Sequence, residues 1–195
     1  MIFREGPVII GSSFIFCLAK TVRNIVLVGL MGSGKTTIGR LIARRIGATF
    51  YDSDHEIERR TGVRIPTIFD LEGEAGFRRR ETATIEELMK LPNVVVATGG
   101  GAVLDPRTRA LLQQLGWTVY LDVPVVQLYE RTKGDPNRPL LQVDDPLRTL
   151  NDLRVLRDPL YREVADFILD GSRYHSSSAV NRILKEWEKQ SASSK

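Results

Sequence analysis

Short, uninterrupted apolar runs alternate with longer stretches of helical periodicity along most of this chain. Asn24 to Val28 reads N-I-V-L-V, the pattern of a strand buried on both faces within a parallel sheet. Beyond it Ile38, Leu41, Ile42 and Ile46 recur at the spacing of one helix face, and Gly47 stands where a left-handed C-cap belongs. The alternation continues with predicted strands at 49–52, 94–97, 118–121 and 167–169. Between them the periodicity predicts helices near 54–61, 66–72, 74–90, 106–115, 124–132, 149–162 and 178–189. Five strands alternating with helices imply a doubly wound, five-stranded parallel α/β sheet with helices on both faces.

Two stretches fall outside that rhythm. Residues 1–20 hold an apolar patch (Ile9, Ile10, Phe14, Ile15, Phe16, Leu18) that Gly11, Ser12 and Ser13 interrupt, and it is too short to span a bilayer. Its start is only weakly basic and no small-residue cleavage site is clear, so it reads as an extension of unknown role rather than a secretion signal. Residues 133–148 are polar and proline-rich, the character of a mobile lid. Residues 21–190 then form one domain, and 191–195 should fray.

Composition narrows the function classes. With 195 residues, 42% hydrophobic and 27% charged, the chain can build one good core of ordinary globular type. The net charge of +4 raises the question of nucleic acid. However, the basic residues are interleaved with acids and no DNA- or RNA-binding signature occurs, so the surplus of Arg suits anionic small molecules better. The lone cysteine, Cys17, excludes an intrachain disulfide and a multi-cysteine metal site, which makes a reducing compartment the default. His55 and His175 lack metal-ligand company and receive no role.

The loop after the first strand carries the strongest chemical signal. Gly29-Leu30-Met31-Gly32-Ser33-Gly34-Lys35-Thr36-Thr37 fits G-x-x-x-x-G-K-[ST], with a strand before it and a helix after it as a phosphate-binding loop requires. Its glycines let backbone N–H groups converge on an anion at a helix N-terminus. Lys35 would reach the β- and γ-phosphates, and the Thr36 hydroxyl would ligate Mg²⁺.

Other segments end strands on the same edge of such a sheet, where ligands bind. Asp52 and Asp54 project to one side, so one carboxylate can serve a metal while the other takes a hydroxyl proton; alternatively Asp54 only caps the next helix. Arg78 and Glu81 share a helix face, and an Arg there can grip a carboxylate with two parallel bonds, while Arg79 and Arg80 read as solvated charge. Gly99, Gly100 and Gly101 let backbone approach a ligand without Cβ atoms in the way. Arg138, in the middle of the lid, is placed to offset charge on a transferring phosphoryl group.

Together these segments resemble the shikimate kinase family, from about Ile25 to the final helix. The matching pieces are G-L-M-G-S-G-K-T-T at 29–37, D-S-D at 52–54, G-F-R-R-R-E at 76–81, G-G-G-A-V at 99–103, N-R-P-L-L at 137–141 and R-D-P-L-Y at 157–161. The resemblance implies a nucleoside-monophosphate-kinase-like P-loop enzyme that phosphorylates the 3-hydroxyl of shikimate, with ATP and Mg²⁺ as cofactors. It implies catalytic roles for Asp54, Lys35 and Arg138, and phosphate contacts from Gly32, Ser33, Gly34, Lys35, Thr36 and Thr37. Shikimate would be held by Asp54, Arg78, Gly100 and Arg157, with Glu81 in support and the two arginines on its carboxylate. Thr36 and, in the outer shell, Asp52 would serve the metal; Arg131 and Arg173 would lie near adenine. A cytoplasmic monomer without nucleic-acid or membrane partners is the matching expectation. Residues 1–20 are the departure, since the family's compact pattern does not contain them.

Rival readings remain at this level. Asp70-Leu71-Glu72-Gly73 and Thr132-Lys133-Gly134-Asp135 mimic two GTPase motifs, but both should follow buried strands, and neither does in the predicted element order. A sister kinase acting on gluconate or a nucleotide would share the loop and fold, yet would not need the Arg78, Glu81, triple-glycine and Arg157 combination. A noncatalytic or nucleic-acid-binding module would need no Asp52/Asp54 pair.

Overall fold

Alternate side chains of the central strand face opposite cores, and that parity sets the three layers. The computed structural model describes residues 23–134 and 141–193; residues 1–22 with the expected extension, 135–140 with Arg138 in the expected lid, and 194–195 lie outside the described residues. Strand β1 (Asn24–Val28) is followed by α1 (Lys35–Ile46), β2 (Thr49–Asp52), α2 (Ser53–Thr61), α3 (Ile65–Lys90) and β3 (Val94–Ala97). Then come a 3₁₀ turn (Ala102–Leu104), α4 (Pro106–Leu115), β4 (Gly116–Asp122), α5 (Val125–Thr132), α6 (Pro146–Val164), β5 (Phe167–Asp170) and α7 (Ser176–Ser193). Val26 and Val28 pack with Ile85, Leu112, Leu128 and Leu150 on the face covered by α3 to α6. Ile25 and Leu27 pack with Ile38, Ile42, Val180 and Ile183 on the face covered by α1 and α7. Burial on both sides is why these strands are apolar without alternation.

The sheet is parallel throughout, in the order β2-β3-β1-β4-β5. From β1 the chain moves outward to β2, returns to β3, and then crosses to β4 and β5 on the other side. The loops after β1, β3 and β4 therefore leave one edge of the sheet around its switch point, with Leu27 level with both Ala97 and Val119.

Where the observed elements differ from the predicted ones, local chemistry explains it. The predicted helices 66–72 and 74–90 form one element with a break at Gly73, whose φ of 67° and ψ of −178° are not helical. Helix α6 begins at Pro146, three residues earlier than the periodicity suggests. Asp145 caps it by accepting from the Arg148 amide at 3.0 Å, and proline fits a first turn whose N–H needs no partner. Strand β4 takes in Gly116 and Trp117, which pair with Asn24 and Ile25. Both GTPase-like motifs are misplaced for that role: Asp70 lies inside α3, and Thr132 ends α5. Among the described residues no helix is long and apolar enough to cross a membrane.

Candidate active site

The phosphate loop spans the gap between β1 and α1. Gly29, Gly32 and Gly34 all have positive φ, at 141°, 75° and 96°, which side chains rarely tolerate. Gly34 is the N-cap of α1, so the first turn of the helix opens into the loop with amides that have no carbonyl one turn back within the helix to pair with. The Lys35 ammonium donates to the carbonyls of Gly29 at 2.8 Å and Leu30 at 2.9 Å, folding back over the loop. Ser33 is buried and its hydroxyl lacks a hydrogen-bond partner, whereas Thr37, one turn on, is exposed. Arg131, near the end of α5, reaches the same loop by donating to the Gly32 carbonyl at 3.4 Å. Arg173 lies on the turn after β5, largely in solvent, paired with Asp170 at 2.8 Å.

Thr36 links the loop to β2 by donating from its hydroxyl to Asp52 Oδ2 at 2.8 Å. The other Asp52 oxygen faces the His55 amide at 3.5 Å, so the cap of α2 is Asp52, and the alternative that Asp54 serves only as that cap is overturned. Asp54 is instead in the first turn of α2, free for other work. Among the described residues no three His, Cys, Asp or Glu side chains cluster as a metal cage. One hydroxyl beside one carboxylate suits Mg²⁺, which keeps most of its water and takes phosphate oxygens as further ligands.

A second group surrounds the turn after β3. Gly99 donates its amide to the Oγ of Ser53 at 2.9 Å, tying the triple glycine to the start of α2. A methyl group at Gly99 would sit 2.5 Å from Asp54 Oδ1 and 2.6 Å from Glu81 Oε1, and one at Gly101 would meet the Arg78 guanidinium carbon at 2.8 Å. Glycine is needed here for room. Arg78 donates to Glu81 Oε2 at 2.5 Å and to Glu74 at 3.2 Å. Arg157, 7% exposed, donates from Nη1 to the Gly100 carbonyl at 3.1 Å, and its Nε is buried without a partner. The same carbonyl accepts the Tyr161 hydroxyl at 2.5 Å. The two halves meet at Gly100, where a Cβ would lie 3.6 Å from both the Gly29 carbonyl oxygen and the Met31 amide nitrogen.

The electrostatics follow from burial. Asp54 is pushed up to about 6, first by burial and then by Asp52, with Lys35 and Arg78 pulling against both. Glu81, 1% exposed, is pushed up to about 7 by burial, opposed by Arg78. Each retains one oxygen with no hydrogen-bond partner. An arginine with an open donor, two buried carboxyls with raised pKa and the phosphate loop thus lie together around Gly99–Gly101. That arrangement can hold a polyphosphate against a small hydroxylated anion.

The structure brings together Asp52, Asp54, Arg78, Glu81, Gly100 and Arg157 with the phosphate loop and Arg131, and leaves Arg173 in solvent. Sequence reasoning took Gly99 and Gly101 as room for a ligand but missed Ser53 and Tyr161 as parts of the site. Both lie inside motifs it quoted, D-S-D and R-D-P-L-Y, so proximity to a motif was the available signal.

Comparison with known proteins adds a family. The shikimate kinase family model matches residues 31–188. A shikimate kinase of Dechloromonas aromatica is 58% identical over 167 residues, which is 86% of this chain and 91% of that protein. The structure of a shikimate kinase from Acinetobacter baumannii in complex with shikimate superposes with a TM-score of 0.83 at 48% identity, covering 88% of this chain and 96% of that one. A gluconokinase from Sinorhizobium meliloti 1021 shares 17% identity with a TM-score of 0.56 over 89% of this chain and 95% of its own, a likeness of fold alone.

Proposed function

This chain belongs to the shikimate kinase family, and from that premise we propose how its residues divide the work. It is an ATP-dependent kinase that transfers the γ-phosphoryl group to the 3-hydroxyl of shikimate, giving shikimate 3-phosphate and ADP. The amides of Gly32, Ser33, Gly34, Lys35, Thr36 and Thr37 cradle the phosphates, with the Lys35 ammonium turning from the loop carbonyls to their oxygens. Thr36 and, in the outer shell, Asp52 would hold Mg²⁺, which would neutralise phosphate charge when bound. Arg131 and Arg173 flank the adenine.

Arg78 and Arg157 grip the shikimate carboxylate, Gly100 gives the ring close access to backbone, and Glu81 orients Arg78. Asp54 accepts the hydrogen bond of the 3-hydroxyl and takes its proton as the oxygen bonds to the γ-phosphorus and the bridging oxygen leaves with ADP. Because the transition state is loose, Asp54 positions the hydroxyl before it accepts the proton. Arg138, in a lid that ends where α6 begins at Pro146 rather than at 148, closes over the phosphates and offsets developing charge. Residues 21–190 work as one kinase domain, a cytoplasmic monomer acting on a small molecule without nucleic-acid or membrane partners.

One observation carries this reading: Asp54, Arg78, Glu81 and Arg157 converge on Gly99–Gly101, and that turn abuts the phosphate loop. The test is an ADP-release assay with MgATP and separate acceptors: shikimate, gluconate and deoxyadenosine. Turnover with shikimate at least a hundredfold above the others is expected. Preference for either rival, or ATP hydrolysis indifferent to acceptor, would overturn it.

A further inference from the structure

Behind the proposed carboxylate clamp lies a pair of tyrosines, one of them ending the R-D-P-L-Y motif, to which the reaction assigns no role. Tyr161, 1% exposed, lies one helical turn after Arg157 on α6. Its hydroxyl and Arg157 Nη1 donate to one acceptor, the Gly100 carbonyl, at 2.5 and 3.1 Å. Two donors saturate that oxygen, fixing both the 100–101 peptide plane and the guanidinium that shares it. Burial keeps the Tyr161 phenol protonated by raising its pKa, so it stays a donor.

Tyr161 is itself held from behind. Its ring stacks on that of Tyr120 with centroids 5.0 Å apart, and the Tyr120 hydroxyl donates to Asp158 at 2.8 Å. Asp158 follows Arg157 in the chain and is bound by Arg162 at 2.7 Å, while Arg162 and Arg154 both reach Asp122 at 2.8 Å. The end of β4 thereby braces the turn of α6 that carries the clamp. A ring needed only to fill space would not require a hydroxyl aimed at the carbonyl Arg157 uses.

We propose that Tyr161 is a positioning residue for substrate: by sharing the Gly100 carbonyl it sets the direction in which Arg157 meets the acceptor's carboxylate. The proposal rests on the reading that Arg157 grips that carboxylate. It acts through Arg157 and the glycine turn, and touches no reacting atom.

The test compares Tyr161→Phe, Arg157→Lys and the double variant in steady-state assays with shikimate and with an analogue lacking the carboxylate. Tyr161→Phe keeps the ring and its stack, so folding is preserved, and thermal unfolding checks this. The expected result is a KM for shikimate raised roughly fivefold to tenfold, the size of one lost hydrogen bond, with KM for ATP within about twofold. With the carboxylate-free analogue the variant should match the unaltered enzyme, and in the Arg157→Lys background Tyr161→Phe should cost about threefold less than alone. If Arg157→Lys raises KM for shikimate but Tyr161→Phe does not, or raises it equally for both acceptors, the positioning role is overturned and the clamp stands. If Arg157→Lys leaves KM unchanged, the clamp reading fails and the proposal falls with it. Should Tyr161→Phe unfold, Tyr120→Phe must raise KM for shikimate in the same selective way, and equal KM values there would overturn the role.

Discussion

Asp54 and Glu81 each turn one hydrogen-bond-free oxygen toward the same point, the position a side chain at Gly99 would take. They come from different helices, α2 and α3, and the absent side chain at Gly99 is what lets both approach. Gly99→Ala would place a methyl 2.5 and 2.6 Å from the two oxygens, closer than real contacts allow. One carboxyl must then move, and Arg78 moves with Glu81 through their 2.5 Å bond. The expected outcome is at least a tenfold loss of kcat/KM for shikimate and a stability loss of about 1–3 kcal/mol, the usual cost of overpacking. Steady-state rates and denaturant unfolding check it; a fully active variant would mean the two carboxyls are not held there.

The same burial makes stability depend on pH in an unusual direction. Asp54 rises from 3.8 to about 6 and Glu81 from 4.5 to about 7, so between pH 4.5 and 7 the folded chain holds protons that the unfolded chain has released. Stability from these two groups is full below pH 4 and declines toward neutrality. Glu56 works oppositely: its bond from Arg59 lowers it from 4.5 to about 2, and that contribution is lost below pH 4.5. Urea midpoints should therefore fall from pH 5 to pH 7, and fall less in Glu81→Gln, which has no carboxyl to titrate. An identical slope in the variant would remove Glu81 as a cause.

Much of this was legible locally, and the limits are physical. The five strands and the phosphate loop follow from uninterrupted apolar runs and glycine spacing, which are properties of neighbouring residues. Gly73 separates two helical patterns in sequence and breaks one helix in space for the same backbone reason. Spacing alone leaves Asp52 and Asp54 equivalent; the His55 amide on Asp52 decides which one caps α2. Pro146 resembled loop because a proline that starts a helix and one that prevents it look alike until Asp145 is seen capping it. The Tyr120–Tyr161 stack joins β4 to α6, a contact between distant residues that no local pattern encodes.

Asp52 shares its two oxygens between the Thr36 hydroxyl and the α2 amide, so its charge is held beside the proposed metal position. Asp52→Asn keeps the cap and removes the charge. The magnesium concentration for half-maximal rate should rise about 10- to 100-fold, with little change in KM for shikimate at saturating metal. A magnesium titration at fixed ATP measures this. Unchanged dependence would move the metal away from β2.

Asp54→Asn separates chemistry from binding. Removing a positioned proton acceptor costs roughly 10²- to 10⁴-fold in kcat, whereas the phosphate loop contacts of Lys35 and Thr36 are untouched. Calorimetric titration should give nearly unchanged ATP affinity beside that loss. Near-normal turnover would take Asp54 out of the reaction.

Three consecutive arginines on α3 have different surroundings, and the differences sort their roles. Arg78 is 15% exposed, bonded to Glu81 and held over Gly101, whereas Arg80 is 45% exposed and pairs with Glu72 across the Gly73 break. Arg79 lies on the solvent side. Arg78→Lys keeps the charge but loses the planar fork that can hold Glu81 and a carboxylate together. KM for shikimate should rise about 10- to 100-fold, the worth of one charge-assisted hydrogen bond. Arg79→Lys should leave it within about twofold, since exposed surface changes rarely exceed ~0.5 kcal/mol. Arg80→Lys should lower unfolding stability slightly and spare KM, because its exposed pair braces the helix rather than the pocket. If all three variants shifted KM alike, the effect would be one of general positive potential, and the geometric clamp would be wrong.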